Sequence, residues 1–550
     1  MKNRFILIII LLISLALRFY RSTYPPLLWD EAALGYNAYS ILKTGKDEYG
    51  QTLPLIFKSF GDYKPGLYIY LTLPFVGMFG LSEASTRLPS IILGSLTPIL
   101  VYALIKLLSP KFHSLPLIAA TILALNPYNI HFSRAAWETN ILTFELVFAS
   151  VIYFLALKKD QNYLFLISGI VFGLSLFTYQ AAKLISPLLI ISLLISTSKI
   201  KHRLPQILLF LLPLFVSLLP VLWGLIFSQN ANRLQVISLL SYPRSGEESQ
   251  LILSEGNKTD YAIFHSQPIF FSRNFISRYF NHFSPRFLAF EGDWQNLRHS
   301  APYIGVLLYP SLLFFLVGFF YALSNLFSSP HHRAHLFFFL WLLFAPLPAA
   351  LTRDSIQSVR AMSLSIPLVY FTALGISQVT TFIISLKLKL LHYTYYFFLI
   401  TGYFVSLILY LDLYHYHLLP KIPSQFVYGY QPAMKYLIDR QSQYQNLVFT
   451  NFYGQAYIYY LFYSHYPPAD YQRQAQLTSN SLDTGTVEHI DKIKFSEPNF
   501  QQLKTQSSVL AIFSYDEIIR QGIDRLPEFS QFIPLSPIGQ ISTFYAYHHP

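Results

Sequence analysis

Leu67-Tyr68-Ile69-Tyr70-Leu71-Thr72-Leu73-Pro74-Phe75-Val76-Gly77-Met78-Phe79 is the stretch on which the threading of this chain turns. It is apolar, but Pro74 and Gly77 interrupt it, and it falls short of the roughly 17–25 residues that a spanning helix needs. Laid along the interface, it lets the connections alternate cleanly. One side then carries Lys2 and Arg4, Lys106 and Lys111, Lys158 and Lys159, Lys199 to Arg203, His331 to His335, and Lys387 and Lys389, with Asp160 as the only acid. The other side receives Asp30, Glu31, Asp62, Glu83, Glu138, the acids of the loop at 229–302, Asp354 and the C-terminal region. That split obeys the positive-inside rule with the amino end cytoplasmic. If the stretch spanned instead, every later loop would change sides and the basic clusters would face outward. The reading is therefore a juxtamembrane helix, with a short tilted span as the alternative.

Working outward, the chain is 53% hydrophobic and only 12% charged, against about 25% charged in soluble domains; its mean hydropathy is +0.40. This predicts an all-α polytopic membrane protein. Eleven candidate spans centre on 5–20, 88–105, 115–131, 139–157, 163–179, 184–198, 206–228, 303–324, 334–351, 362–384 and 393–414. The amino-terminal run has no small-residue cleavage site before Arg18 and reads as an uncleaved helix. The net charge of +12 lies mainly in short clusters between apolar runs, which set topology and do not form a nucleic-acid-binding face. Cysteine is absent, which excludes disulfides and Cys-ligated metal centres.

Residues 1–420 read as a membrane catalytic domain with a first outer loop at 21–87 and a long outer loop at 229–302; 421–550 read as a small extracytoplasmic α/β domain. There Leu447 to Thr450, Ser508 to Phe513 and Ile541 to Tyr547 predict buried strands, and Gln431 to Asp439 a helix. The tyrosines Tyr453, Tyr457, Tyr459, Tyr460 and Tyr463 suit sugar stacking or ordinary packing, with packing the commoner use. No internal repeat or low-complexity tract is evident.

The outer face collects the unusual polar residues: Asp30, Glu31, Lys64, Arg87, Arg134, Glu138, Lys183, Arg298, His299, Arg353 and Arg360. No nucleotide pool is expected there, so a group-transfer enzyme would draw on a donor that has crossed on a lipid. A polyprenyl-phosphate sugar fits. Displacement at its anomeric carbon needs a carboxylate to take the acceptor proton and cations around a phosphate whose charge grows as it leaves. Fixed cations make a metal or other cofactor unnecessary. Asp30 is the candidate base and Glu31 positions the acceptor or assists; the alternative is a cap on a helix over Ala33 to Leu42. Lys64 precedes a proline at the start of the interfacial helix and would reach phosphate height by snorkelling; binding bulk lipid headgroups is the alternative.

The sequence resembles the membrane glycosyltransferases of the GT-C fold, specifically the bacterial relatives of protein O-mannosyltransferases and of the aminoarabinose transferase that modifies lipid A. The resemblance rests on Trp29-Asp30-Glu31-Ala32, Asp62-Tyr63-Lys64-Pro65-Gly66-Leu67-Tyr68, Arg87-Leu88-Pro89-Ser90, Asn126-Pro127, Ser133-Arg134-Ala135-Ala136-Trp137-Glu138 and Thr178-Tyr179-Gln180-Ala181-Ala182-Lys183. It implies a fold with juxtamembrane helices in the first outer loop, a catalytic acid at Asp30 and a phosphate-binding lysine at Lys64. It also implies phosphate contacts at Arg134 and Lys183, where relatives often carry arginine. Gly66 stands where the pattern has a second proline, and Tyr63 where some relatives place an acidic metal ligand, so no metal is carried over. Asp62, Arg87, Glu138 and Tyr179 become possible substrate contacts.

Farther on, Phe290-Glu291-Gly292-Asp293, Leu297-Arg298-His299-Ser300, Leu351-Thr352-Arg353-Asp354 and Val359-Arg360-Ala361 look like outer-loop elements of one bacterial branch. Arg298 and Arg360 contact phosphate or sugar in one reading, and pair with Asp293 and Asp354 in the other; His299 serves as a titrating group or as a hydrogen-bond partner. Asn257-Lys258-Thr259 fits a glycosylation sequon, and Glu145, inside a span, needs a buried partner. The expected activity is an inverting glycosyltransferase at the outer face of the cell membrane, acting in cell-envelope glycosylation on a glycan, lipid or protein acceptor. The alternatives are a transporter or flippase of lipid-linked sugars, or a lipid-pyrophosphate-dependent polymerase or ligase. Against transport, no inverted repeat or midplane cluster of ionisable groups is evident.

Overall fold

The computed structural model describes residues 2–110, 112, 114–197, 203–227, 236–328, 331–479, 485–538 and 541–549. Lys111, Lys199 to His202 of the basic clusters, and 229–235 of the long loop lie outside the described residues. The chain divides into two compact units, one of residues 1–18, 92–133 and 138–413, the other of 19–91, 134–137 and 414–550. The first outer loop is thus grouped with the C-terminal residues.

Each of the eleven apolar stretches contains helix among the described residues. Six helices among the described residues are long and apolar enough to cross a membrane: Glu83–Leu108, Glu138–Lys159, Leu204–Gly224, His332–Ala350, Met362–Ser385 and Lys389–Lys421. Leu67–Phe79, Leu115–Leu125, Asn162–Ser175, Ala182–Ile195 and Tyr309–Ser324 are apolar but shorter. The stretch expected at 115–131 is two helices, Leu115–Leu125 and Pro127–Ser133. Asn126 is extended before Pro127 (φ −70°, ψ 125°), because a residue before proline is pushed out of the helical region.

In the helical unit the first helix carries a fully buried Arg18. Its guanidinium donates to the Ser14 carbonyl (3.0 Å) and hydroxyl (2.9 Å), the Ala124 carbonyl (3.2 Å) and Asn129 Oδ1 (2.5 Å). It thereby satisfies acceptors at the end of Leu115–Leu125 that no helical N–H reaches. Tyr309–Ser324 and Ser365–Ser385 cross at glycines: a Cβ on Gly318 would lie 1.8 Å from the Phe371 carbonyl, and one on Gly375 1.9 Å from that of Phe314. Small residues at such crossings let helix backbones touch. Glu145 finds its partner in Thr178, whose hydroxyl donates to it at 2.7 Å.

The second unit joins helix Trp29–Thr44, the hairpin Ile56–Ser59 and Asp62–Pro65, and helix Leu67–Phe79 to the C-terminal residues. Its six-stranded sheet runs His489–Ile490, Ile493–Phe495, Asn446–Phe449, Val509–Ser514, Phe544–His549, Ile533–Pro534 in spatial order. Asn446–Phe449 is parallel to both neighbours, and Phe544–His549 lies antiparallel to Val509–Ser514 with Phe544 opposite Ser514. Val509–Ser514 is buried at every position, as a near-continuous apolar run in a central strand requires. The expected helix appears as Tyr430–Arg440. Helix Trp29–Thr44 is tied to the C-terminal residues by the Tyr36 hydroxyl on the Tyr466 carbonyl (3.0 Å), by Gln472 Nε2 on Ser40 Oγ, Thr44 Oγ1 and the Asp47 carbonyl (3.1, 3.0 and 2.8 Å), and by the Tyr459 hydroxyl on the Leu27 carbonyl (2.9 Å). Tyr457, Tyr459 and Tyr460 are buried, with Tyr459 stacked 4.3 Å from Tyr430. These three tyrosines pack the unit together.

Candidate active site

Asp30 and Glu31 occupy the first turn of helix Trp29–Thr44, where unpaired N–H groups favour carboxylates. The N-cap is Leu28, and Glu31 closes the cap by accepting from the Leu28 N–H at 3.0 Å. The capping role considered for Asp30 thus belongs to its neighbour. Glu31 is 3% exposed. Arg87 grips it with Nε on Oε1 (2.8 Å) and an Nη on Oε2 (2.7 Å), and the Ala136 N–H donates to Oε1 at 2.7 Å. Four donors fill the carboxylate's usual acceptor positions. Arg87, fully buried, also donates to the carbonyls of Ser22 (3.0 Å), Pro25 (2.9 Å) and Pro26 (3.3 Å). Glu31 and Arg87 therefore form a strut that fixes residues 22–28 against two helix ends.

Asp30 is different: its side chain is 42% exposed and pairs with Lys64, which is 16% exposed. Lys64 sits on the second hairpin strand, opposite Phe57 and ahead of the helix that begins at Leu67. The expectation that it starts that helix is corrected by the hairpin, whose Phe60-Gly61 turn has φ of 55° and 91°, the two positive values that tight hairpin turns favour. Asp62, opposite Ser59, is buried. Arg134 is fully buried, donates to the Arg21 carbonyl (3.1 Å) and lies 5.1 Å from the Tyr414 ring centre.

An acid that sequence reasoning passed over lies in the same unit. Glu48 is fully buried, and its Oε1 accepts from Asn37 Nδ2 at 3.1 Å while its N–H returns to Asn37 Oδ1 at 3.0 Å. Burial pushes its carboxyl up to about 8, offset only in part by that hydrogen bond.

In the helical unit, Tyr179, Lys183 and Arg360 line a cavity of about 680 Å³ whose walls include Leu184, Phe271 and Leu351. Lys183 donates to Gln180 Oε1. Arg360 donates to Thr352 Oγ1 (2.9 Å) and Asp354 Oδ2 (3.1 Å). Arg298 Nε reaches Asn296 Oδ1 at 3.3 Å. Glu138 stands in the first turn of Glu138–Lys159. The organising residue here is Asp293, which is fully buried and accepts from Asn296 N (2.8 Å), Ser358 N and Oγ (both 2.9 Å) and His299 Nδ1 (3.0 Å). Burial drives His299 below its ordinary pKa against the pull of Asp293. Burial also opposes ionisation of Asp293, but its donors outweigh that and hold the carboxyl below the usual range. Asp293 thus ties the Arg298 segment to the segment leading into Arg360. Ser358 is absent from the sequence-based expectations, since nothing in its local sequence marks it.

The sequence family described as dolichyl-phosphate-mannose-protein mannosyltransferase matches residues 63–223. ArnT from Cupriavidus metallidurans in the apo state is similar with a TM-score of 0.51 at 10% identity, covering 99% of this chain and 97% of that one. The Archaeoglobus fulgidus oligosaccharyltransferase AglB, solved in complex with an inhibitory peptide and a dolichol-phosphate, gives 0.45 at 14% identity over 84% of this chain, which spans 63% of its length. No curated protein matches by sequence. The chain has the GT-C fold of membrane glycosyltransferases.

Proposed function

We propose that the protein is an inverting glycosyltransferase that moves a sugar from a polyprenyl-phosphate donor to an acceptor hydroxyl at the outer face of the cell membrane. The carrying observation is that Asp30 and Lys64, 34 residues apart, are paired beside a helix end held rigid by Glu31 and Arg87. The chemistry calls for those two groups. The acceptor oxygen bonds to the anomeric carbon as the bond from that carbon to the phosphate oxygen breaks. Asp30 takes the hydroxyl proton, and the carrier departs as a phosphate monoester with one more negative charge than the diester had, for which Lys64 is the counter-ion. Before the donor binds, Asp30 neutralises Lys64; the incoming phosphate then competes for the ammonium and releases the carboxylate for its role as base. Glu31, with its acceptor positions filled, positions Asp30 and takes no proton. The cavity of the helical unit, lined mainly by apolar residues and also by Lys183 and Arg360, has a composition that suits a prenyl phosphate. The donor class named for the matched family supports a lipid-phosphate carrier.

Asp30→Asn and Lys64→Ala are each expected to abolish transfer from a radiolabelled polyprenyl-phosphate sugar while the protein still elutes as a folded species in detergent. Release of free polyprenyl phosphate separates transfer from flipping, which returns the donor intact. Near-normal turnover in Asp30→Asn removes the base assignment.

A further inference from the structure

The second unit contains a chamber of about 920 Å³ that the reaction as derived does not use. Segments 21–27 and 81–84 form one side, and residues from 419–435 and 462–465 the other. Tyr24, Tyr428 and Tyr463, all half-buried, line it together with Glu83, Gln431 and Lys435. Glu83 is only 7% exposed, yet among the described residues it accepts a single hydrogen bond, from the Tyr463 hydroxyl at 2.7 Å. Arg87 and Lys435 are its nearby positive charges, and with about four acceptor positions the Glu83 carboxyl keeps capacity for hydroxyl donors that enter the chamber. The Tyr428 end is held by Gly429, at φ 100°, where a Cβ would lie 2.4 Å from both Ser536 Oγ and Thr543 Oγ1. A rigid turn therefore presents the ring.

We propose that this chamber binds the terminal sugars of a saccharide acceptor, an inference that rests on the glycosyltransferase reading and names the acceptor class. Aromatic rings offer flat apolar faces to the C–H faces of pyranoses and carry a polar edge. The carboxylate, amide and ammonium around them match a ring of hydroxyls, each of which both donates and accepts. The volume falls in the range of small-molecule sites. The chamber is mechanically linked to the reacting acid. Pro26 and Leu27 belong to its wall, Arg87 holds the Pro26 carbonyl, and the same Arg87 holds Glu31 beside Asp30. A sugar seated there lies against the segment that delivers the base.

Binding is best read in the full chain carrying Asp30→Asn, so that no turnover intervenes. Saturation-transfer NMR in detergent with maltotriose, mannotriose and chitotriose as probes should show at least one trisaccharide bound. Tyr428→Ala and Gln431→Ala, at a half-buried and an exposed lining residue, should each weaken that binding by about tenfold, the consequence of losing one good contact. Glu83→Gln should weaken it too and change which trisaccharide is preferred. Failure of all three probes to bind overturns the proposal. So does binding that survives both Tyr428→Ala and Gln431→Ala, or a preference for a Ser/Thr-containing hexapeptide over every trisaccharide. If transfer activity is never found but trisaccharide binding maps to these residues, the chamber assignment stands and the enzymatic reading falls.

Discussion

Arg87→Lys keeps the charge of the strut and removes its geometry. Arg87 makes five donations, two to Glu31 and three to the carbonyls of Ser22, Pro25 and Pro26. An ammonium has three protons and no planar fork, so at least two buried acceptors lose their donor. Each unsatisfied buried acceptor costs about 1–3 kcal/mol, so two cost about 2–6 kcal/mol and about 4 kcal/mol is expected. For a cooperative unit of roughly 200 residues, each kcal/mol lowers the melting temperature by about 2–4 °C, so the variant should melt roughly 8–16 °C lower. Glu31→Gln should cost a similar amount, because it leaves the guanidinium buried without its counter-charge. The double variant Glu31→Gln with Arg87→Met should cost less than the sum of the two single changes, since neither partner is then left stranded. The assay is thermal unfolding in detergent followed by tryptophan fluorescence, with transfer measured on the same preparations. A shift below about 2 °C for Arg87→Lys, or strict additivity in the double variant, would refute the strut.

His299 is buried with its pKa below the ordinary 6.5, so the unfolded chain takes up a proton first as pH falls. The His299 contribution to stability should be flat above about 6.5 and decline below it; Asp293, also depressed, adds a further loss at more acid pH. Asp293→Asn should remove the loss that Asp293 itself adds, deepen the His299 decline because Asp293 is what raises that imidazole against burial, and lower the melting temperature at neutral pH, read by the same scan from pH 8 to 4. Glu48 has the opposite sign: its carboxyl, ordinarily near 4.5, titrates at about 8 in the fold, so the folded state holds the proton longer and stability should fall as pH rises across that interval. Glu48→Gln should flatten that slope and be relatively more stable at pH 8.5 than at pH 5; an unchanged slope would show that Glu48 is solvated. Gly375→Val places a branched side chain where even a Cβ would meet the Phe314 carbonyl at 1.9 Å. It should force the crossing helices away from each other and yield aggregated protein on size-exclusion chromatography, and a monodisperse peak of normal height would contradict the crossing.

What the sequence makes legible follows the range of the forces involved. The apolar stretches are helices because hydrophobic runs report on burial locally, and the break at Asn126-Pro127 is written in the proline, although the 115–131 expectation runs through it. The Phe60-Gly61 turn carries a weaker signal: strands of four residues are too short to show alternation, so local pattern puts Lys64 on the following helix and not on its hairpin. The union of the first loop with the C-terminal residues leaves no local trace. It depends on contacts such as Tyr36 to Tyr466, 430 residues apart.

The acid pair shows most clearly why residue type alone does not assign roles. By sequence Asp30 is the base and Glu31 positions the acceptor or assists, but adjacent side chains on a helix point about 100° apart, so both cannot face the same surroundings. Glu31 turns inward to Arg87, 56 residues along the chain, and the helix turn leaves Asp30 on the exposed side facing Lys64. Two acids at one helix start are thereby divided by geometry into one held by buried donors and one left partly exposed beside Lys64. Exchanging them, as Asp30→Glu with Glu31→Asp, should fail at the inner position before the outer one, because the shorter carboxylate at position 31 cannot span to both Arg87 and the Leu28 N–H.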